Sequence, residues 1–249
     1  MAERNLEQLD VTWARRAPAR ALRELVLMGV LGPAMDFYTR RRVIGREHLR
    51  TLQAPVVFVA NHSSHMDTPA TLRALPPAWR RRTVVAAAAD YFYRRRRLAY
   101  PVSLFFGTVP VARDGRGLEP ETTGHLDRLI GEGWSLVMFA EGTRSRDGSV
   151  GRLRSGAAAI AAQHDLPLVP IHVSGTHEVM PVGRYWMRRR PGRPLPRRHP
   201  IEIRFGAPIL PDGGEHRTEV MERVRIFFEQ AGAQTTPPKR RRLAGTAAR

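Results

Sequence analysis

A histidine and an aspartate stand five positions apart in the segment NHSSHMD, residues 61–67, which directly follows the apolar run PVVFVA at 55–60. Such a run is typical of a buried strand, and in an α/β sheet ligands bind beyond the carboxyl ends of the strands. If His62 lies in the turn and Asp67 in the first turn of a following helix, the carboxylate can reach the imidazole. An imidazole oriented in this way can remove a proton from an alcohol, so the pair is a candidate general base.

Two other interpretations of this segment are open. A histidine before a helix often caps the helix or packs against it, and here Ser63 or Ser64 is the predicted cap. A metal site built from His62, His65 and Asp67 is the second alternative. Metal-binding hydrolases of that kind place the two histidines two apart and add another after the aspartate, whereas here they are three apart and a threonine follows. We therefore predict no metal.

Two further segments place glycine and arginine beside predicted strands. In FFGTVPVARDG, residues 105–115, Gly107 precedes a short strand and Arg113 follows its end, where a guanidinium can bind a phosphate or simply face solvent. In FAEGTRS, residues 139–145, the turn again follows a buried strand.

The second of these turns is rich in hydrogen-bond donors. Gly142 lets the backbone approach a ligand closely, and Thr143 and Arg144 add side-chain donors. Glu141 is a carboxylate among phosphate-binding groups, so it needs a partner. We expect that partner to be an arginine or a substrate hydroxyl, with a structural salt bridge as the alternative. In a later apolar run, LPLVPIHV at 166–173, Pro170 removes a ladder donor and predicts a strand edge or a bulge.

Strand and helix patterns alternate along most of the chain. Strands are predicted at 55–60, 83–88, 109–112, 135–139, 167–173 and 201–205, and helices at 119–132, 155–164 and 215–230. This alternation predicts an α/β fold: a single domain with a mixed, largely parallel central sheet covered by helices. An N-terminal helical segment that associates with a membrane is expected to precede it.

The chain is expected to have three parts. We predict an N-terminal helical segment at 1–42, a main domain at 43–232 and a disordered basic tail at 233–249. Within the first segment, residues 13–38 form one or two helices broken near Gly32-Pro33, and the apolar half is either buried in the domain or sunk into a membrane interface. Its apolar stretch is about half of the ~20 residues that span a bilayer, so no transmembrane helix is expected. The first residues are acidic and polar, so no signal peptide is expected. Residues 184–199, rich in arginine and proline, are predicted to form a surface loop.

Composition limits the chemistry further. The chain of 249 residues has no cysteine and a single lysine, Lys239, which excludes disulfides, thiol nucleophiles and Schiff-base chemistry on a core lysine. Its net charge of +18 attracts nucleic acids, anionic lipids and small phosphates alike. The arginine runs at 80–82, 94–97 and 188–190 are the argument for nucleic acid, but they lack interleaved stacking aromatics. We predict no nucleic-acid partner.

Taken together, the four segments resemble the motif blocks of glycerolipid acyltransferases of the lysophosphatidic acid acyltransferase type, in the same order. The resemblance covers about residues 43–205. It implies that His62 is the catalytic base and Asp67 its partner, and that the acceptor's glycerol phosphate is held by Arg113, Glu141, Gly142, Thr143 and Arg144. It also implies supporting roles for Asn61, Ser64, Gly107 and Pro170. One departure is Ala140, where the family usually has proline.

The resemblance also implies the reaction and its setting. A fatty acyl group moves from acyl-CoA or acyl carrier protein, as co-substrate, to the free hydroxyl of lysophosphatidic acid, and no other cofactor is expected. Another lyso-lipid or polar-lipid acceptor remains the alternative. The expected partners are a lysophospholipid, an acyl thioester and a membrane surface with anionic lipids, at the cytoplasmic face, with the protein peripheral or monotopic. The chain has no Gly-x-Ser-x-Gly motif, which argues against a lipase or esterase.

Overall fold

The computed structural model describes residues 6–93, 96–112, 120–192, 195, 197–212 and 214–235. The strands are β1 (Thr39–Ile44), β2 (Val57–Ala60), β3 (Thr83–Ala88), β4 (Thr108–Val111), β5 (Ser135–Phe139), β6 (Leu168–Ser174) and β7 (His199–Phe205). The helices are α1 (Leu6–Leu9), α2 (Ala17–Leu25), α3 (Gly32–Tyr38), α4 (Asp67–Ala74), α5 (Pro77–Arg80), α6 (Ala89–Phe92), α7 (Arg96–Phe106), α8 (Pro120–Gly131), α9 (Gly156–Gln163), α10 (Thr176–Val179) and α11 (Arg217–Gln230). Short 3₁₀ turns cover Thr12–Arg15 and Arg46–Leu49.

All seven strands join one sheet in the order β1-β7-β6-β2-β5-β3-β4. The five strands from β6 to β4 run parallel, whereas β7 runs antiparallel to β6 and carries β1 parallel to itself. The predicted mixed, largely parallel sheet is confirmed. Because β6, β2, β5, β3 and β4 share one direction, their carboxyl ends meet at one edge, and the segments after them are brought together there.

The central strand β2 is apolar throughout because both of its faces are covered. Val57 and Val59 face a core that contains α8, α9 and α11, whereas Phe58 and Ala60 face the core on the side of α4 and the N-terminal helices. Side chains alternate between the two faces of a strand, so a strand buried on both sides must be apolar at every position. The continuous apolar run therefore predicted its place correctly.

The N-terminal helix does not break at Gly32-Pro33, contrary to the prediction. Leu31 and Gly32 keep right-handed helical dihedral angles, and a π-helical stretch over Val26–Leu31 joins α2 to α3. Pro33 lies in the first turn of α3, where a missing N–H is tolerated, and the wider π turn accommodates the interrupted hydrogen-bond ladder. The sheet begins at Thr39, four residues before the predicted domain boundary.

Buried arginines attach this N-terminal segment to the rest of the protein. The Arg23 guanidinium donates to the carbonyls of Leu104 (2.7 Å), Ser103 (3.0 Å) and Ala14 (2.6 Å). Burial, together with the nearby positive charges of Arg15 and Arg20, lowers the pKa of Arg23 to about 10. Farther along, Arg73 pairs bidentately with Asp36 and Arg80 with Glu24. These contacts attach one face of the segment to the domain, whereas Leu25, Val30 and Phe37 on its apolar half stay 66%, 61% and 55% exposed, so a membrane-facing role for that half stays a prediction.

Pro170 lies in the middle of the sheet, in β6 between β2 and β7, so the predicted strand edge is wrong. The alternative prediction, a bulge, is confirmed. The antiparallel pairing shifts by one residue here, from Ile171↔Phe205 to the bridge Leu168↔Ile209. Two residues of β6 therefore face three on the opposite segment, and the missing proline donor falls where the ladder is already interrupted.

The last described residues pack against the domain. The Val150 N–H donates to the carbonyl of Gln234 at 2.7 Å, and Val150 pairs with Thr235. The predicted disordered tail lies outside the described residues from 236 onward. Within the described ranges, the structure contains no helix with the length and apolar character needed to cross a bilayer.

Candidate active site

His62 and Asp67 form a direct hydrogen bond at the carboxyl edge of the sheet. His62 lies two residues after β2, and Asp67 is the first residue of α4. The His62 Nδ1 atom is 3.0 Å from Asp67 Oδ2. The turn therefore brings the two side chains together as the spacing predicted, and Nε2 is the ring nitrogen left to accept a proton from a substrate.

The Asp67 carboxylate is fully buried and accepts several other hydrogen bonds. Its Oδ2 atom accepts the backbone N–H groups of Ser63 (2.6 Å) and Ser64 (2.8 Å), and its Oδ1 accepts the Thr176 hydroxyl at 2.5 Å. A buried charge is tolerated when it is paired and its oxygens are satisfied. Neither serine caps α4: Asp67 itself closes the turn, and the Ser64 hydroxyl instead donates to the Met180 carbonyl at 2.7 Å.

The His62 ring and backbone are fixed by the turn that follows β5. The ring stacks on Phe139 with centroids 3.9 Å apart and planes 20° from parallel. The His62 N–H donates to Glu141 Oε1 (2.9 Å), and its carbonyl accepts the Ser145 N–H (2.8 Å). The side chain is 16% exposed and lines the cavity, so the ring is largely enclosed but remains accessible from the cavity.

Among the described residues, Glu141 is bonded to two backbone N–H groups and to no arginine, and its alternative partner, a substrate hydroxyl, stays a prediction. Besides the His62 N–H, it accepts the Gly151 N–H on Oε2 at 2.8 Å. Burial raises the pKa of Glu141 above its usual range, and these two N–H groups partly oppose that rise because they favour the ionised form. The carboxylate thus links the turn after β2 to the segment before α9.

The turn itself depends on a glycine. Gly142 has φ +68°, and a Cβ there would come within 2.8 Å of Arg154 Nε. The Arg154 N–H donates to the Ala140 carbonyl at 2.7 Å. Only glycine adopts this backbone without strain while leaving room for the guanidinium.

A cavity of about 1280 Å³ opens in front of His62. One part of its wall is cationic, with Arg144, Arg152 and Arg154 after β5, and Arg217 at the start of α11 also lines the cavity. The other part is mainly apolar and is formed by the π-helical stretch, α3, α4, β3, α7 and β4; its members include Leu31, Met35, Met66, Val85, Val102, Phe106, Thr108 and Val111. A base, four arginine side chains and an apolar space therefore share one cavity.

His65 also lines this cavity. Burial, and then the positive charge of Arg144, lowers the pKa of His65 to about 4, so its ring is neutral near pH 7. Among the described residues, no three His, Asp or Glu side chains are grouped as metal ligands would be.

The remaining predicted residues divide into those at the cavity and those behind it. Glu141, Gly142, Thr143 and Arg144 line the cavity. Asn61 does not; its side-chain amide exchanges two hydrogen bonds with the Val173 backbone and ties the end of β2 to β6.

Ser64, Gly107 and Pro170 also lie outside the cavity wall. Gly107 has φ +66° and packs against the Arg23 guanidinium. Arg113 lies outside the described residues.

Four residues at the site escaped the sequence analysis: Phe139, Thr176, Arg152 and Arg154. Phe139 ends an apolar strand and looks like ordinary core, and Thr176 is 109 residues from the carboxylate that it contacts. The two arginines follow a glycine in GRLRSG, residues 151–156, but so many arginines occur in this chain that their number gives no signal.

The chain is similar in sequence to known proteins. A family model described as Acyltransferase matches residues 40–174. A chloroplastic 1-acyl-sn-glycerol-3-phosphate acyltransferase of Brassica napus is 32% identical over 139 residues, which are 56% of this chain and 38% of that protein. A 1-acyl-sn-glycerol-3-phosphate acyltransferase of Chlamydomonas reinhardtii is 30% identical over 155 residues, 61% of this chain and 43% of that one. The chain thus spans less than half the length of either relative.

A solved structure has a similar fold. The crystal structure of the 1-acyl-sn-glycerophosphate (LPA) acyltransferase PlsC from Thermotoga maritima superposes with a TM-score of 0.62 over 88% of this chain and 85% of that one. The sequence identity is 21%. At that identity the likeness supports the fold alone.

Proposed function

This chain belongs to the acyltransferase family, and from that membership we propose that it transfers a fatty acyl group from a thioester to the free hydroxyl of lysophosphatidic acid, which yields phosphatidic acid. The observation that carries the proposal is the hydrogen-bonded pair of His62 and Asp67 at the wall of a cavity that is cationic on one side and apolar on the other.

In the proposed reaction, His62 Nε2 takes the proton from the acceptor hydroxyl as its oxygen attacks the thioester carbonyl. The new C–O ester bond forms, the C–S bond breaks, and the proton passes to the leaving thiolate. Asp67 holds the imidazole through Nδ1 and stabilises it when it carries the proton. A thioester is already activated, because the thiolate of a thiol with a pKa of about 8.5 leaves readily. The alcohol is the weaker reactant, and a positioned base increases its rate of attack by about 10²–10⁴-fold.

The cationic part of the cavity wall matches the phosphate of the acceptor, and the apolar part matches an acyl chain. Guanidinium groups bind phosphate oxygens bidentately, and Arg144, Arg152 and Arg154 present three of them beside the base. The apolar wall suits an acyl chain. In this proposal Glu141 positions the base, because its two oxygens accept the N–H groups of His62 and Gly151, and its place in the cavity wall leaves its remaining acceptor capacity for an acceptor hydroxyl.

The setting follows from the substrates. A lysophospholipid acceptor and its diacyl product partition into bilayers, so we place the protein at a membrane surface with anionic lipids, as a peripheral or monotopic protein on the cytoplasmic face, where it meets acyl-CoA or acyl carrier protein. No cofactor beyond this thioester is required by the chemistry.

The test is an acyl-transfer assay with purified protein. It offers lysophosphatidic acid, glycerol phosphate and other lyso-lipids against acyl-CoA and acyl carrier protein donors. We expect transfer to lysophosphatidic acid and a loss of at least about 10²-fold in His62→Asn, with an unchanged circular dichroism spectrum. A more efficient transfer to another lyso-lipid would reassign the acceptor.

A matched control is available for this variant. His164 also pairs with a carboxylate, its Nε2 lying 2.8 Å from Asp127 Oδ1, but at the surface of α8 and α9. His164→Asn should keep full activity. Wild-type rates in His62→Asn, or a covalent acyl-protein trapped during turnover, would contradict the mechanism. Arg144→Gln should lower the rate of transfer to phosphate-bearing acceptors more than the rate of transfer to a neutral acceptor. If both rates fall equally, Arg144 does not bind the phosphate.

A further inference from the structure

One segment beside the cavity is exposed, aromatic and strongly basic, and its role is unassigned. We call residues 181–198, between α10 and β7, the cavity lip, of which the structure describes residues 181–192, 195, 197 and 198. Tyr185 is 92% exposed, Trp186 59% and Leu195 73%. Large side chains of this kind are seldom left so open on a soluble surface unless the surface binds something.

Several contacts hold the described part of the lip in place. The backbones of Arg190 and Arg197 exchange two hydrogen bonds of 2.9 Å. The Trp186 Nε1–H donates to the Tyr38 hydroxyl at 3.2 Å, and the Arg189 guanidinium lies 4.8 Å from the Phe37 ring centroid. Contacts with the end of α3 therefore fix Trp186 and Arg189 in place.

The position of the lip connects it to the site. It leaves the sheet after β6 and returns at the start of β7, which runs antiparallel to β6, so both of its ends lie at the carboxyl edge where His62 is found. Tyr185, Trp186 and Met187 themselves form part of the cavity wall. Whatever the lip binds is thus presented to the cavity opening.

The charge of the lip is of one sign. Residues 181–198 contain seven arginines and no aspartate or glutamate. Aromatic side chains prefer the headgroup level of a bilayer, and arginines beside them are attracted to anionic lipids, while their long stems cover apolar surface. This combination is complementary to an anionic bilayer in both charge and polarity.

We propose that the cavity lip docks the protein on the surface of an anionic lipid bilayer, with Tyr185, Trp186 and Leu195 entering the headgroup region and the arginines pairing with lipid phosphates. This inference rests on the proposed function, since a lipid acceptor reaches the cavity most directly from a bilayer at its opening. It also explains why aromatic groups lie exposed at the cavity edge, where water alone would disfavour them.

The experiment measures vesicle binding without any acyl donor, so its outcome is independent of acyl transfer. Vesicles of phosphatidylcholine with and without phosphatidylglycerol are mixed with the full chain and separated by flotation. We expect binding to the anionic vesicles that weakens with salt. The double variant Arg184→Gln/Arg190→Gln should lower the partition coefficient by about 25-fold, because each arginine near an anionic surface contributes roughly fivefold. Leu195→Ser should lower it by roughly tenfold.

Matched controls lie at the opposite edge of the sheet. Arg50 and Arg81 are exposed and precede β2 and β3, and Leu210, which is 65% exposed, follows the residue that pairs with the start of β6. Arg50→Gln/Arg81→Gln and Leu210→Ser should bind like the wild type. If these controls lose as much binding as the lip variants, the attraction is a general effect of net charge and the proposal is overturned.

A second measurement locates the contact. Brominated lipids quench nearby tryptophans, and Trp186→Phe should remove most of the quenching that the wild type shows. Quenching that survives in Trp186→Phe would overturn the proposal, because the docking surface would lie elsewhere. So would an absence of binding to anionic vesicles, or lip variants that lose binding to duplex DNA while keeping vesicle binding.

Discussion

Four hydrogen bonds converge on the two carboxylate oxygens of Asp67, and one of them comes from a distant part of the chain. Oδ2 accepts His62 Nδ1–H and the N–H groups of Ser63 and Ser64, whereas Oδ1 accepts only the Thr176 hydroxyl among the described residues. The local bonds set the turn, and the distant one fixes the rotation of the carboxylate. Thr176 therefore positions the base through Asp67.

Replacing Thr176 with valine tests this positioning role. Valine keeps the shape but removes the donor, so Oδ1 is left buried without its bond and the carboxylate can rotate. We expect kcat to fall about 10- to 100-fold with little change in KM, since small displacements of a catalytic group have effects of this size. The free energy of unfolding should fall by about 1.5–3 kcal/mol, the cost of losing a hydrogen bond to a charged group. Steady-state kinetics and urea unfolding measure the two effects.

The chain supplies a matched control for this variant. Thr71 in α4 is equally buried, but its hydroxyl has no hydrogen-bond partner in the described part of the structure. Thr71→Val should leave kcat unchanged and not lower stability, and Thr176→Ser should restore most of the activity. A Thr176→Val enzyme with wild-type kcat would show that the rotation of Asp67 does not matter.

At the scale of elements, the turn after β5 is the part that assembles the site. Its Gly142 has a positive φ and leaves room for Arg154, while the same turn supplies Phe139, Glu141 and Ser145 to His62. A change in this backbone should therefore disturb the base and the cationic wall together.

Gly142→Ala measures that dependence. Alanine costs about 1–2 kcal/mol at this φ, and its Cβ would displace the Arg154 guanidinium. We expect activity to fall at least about tenfold while the protein stays folded at 25 °C. Gly124→Ala is the control: no atom would lie within 4 Å of a Cβ there, and in the middle of α8 alanine should stabilise by about 0.5–1 kcal/mol. Full activity in Gly142→Ala would contradict the role of this turn.

Short sequence patterns were sufficient to predict the buried strands and the turns that follow them. The apolar runs located β2, β3, β5 and β6, and the strand–turn boundaries placed His62, Glu141 and Arg144 at one edge of the sheet, because parallel strands must end together. The position of Asp67 at the start of a helix was also readable, since aspartate closes such turns.

Features that depend on contacts between distant parts of the chain could not be predicted from the sequence. β1 has the letters TRRRVI, which look like a charged surface segment, yet it is the outermost strand beside β7. Pro170 is tolerated inside the sheet only because of a bulge contributed by residues more than 35 positions away. Glu141 finds backbone partners in two other segments, and nothing in FAEGTRS distinguishes that from an arginine pair.

At the scale of the whole molecule, buried histidines couple stability to pH. His172 lies in β6 opposite Arg204, and its ring is 6.0 Å from the ring of Phe228 in α11. Burial, and then the charge of Arg204, lowers the pKa of His172 from 6.5 to about 4, against the opposing charges of Glu202 and Asp67. Between pH 6.5 and 4 the unfolded chain therefore binds a proton that the native protein does not, and stability falls as the pH is lowered through this window.

His172→Asn isolates this contribution. The wild type should lose about 3 kcal/mol more than the variant between pH 7 and pH 4, since each unit of pKa shift corresponds to about 1.4 kcal/mol. The variant should still weaken somewhat in acid, because the pKa values of His65 and His125 are also lowered by burial and both groups remain. Urea unfolding at several pH values gives the two curves. They should diverge below pH 6.5, and parallel curves would mean that His172 is protonated as readily in the native sheet as in the unfolded chain.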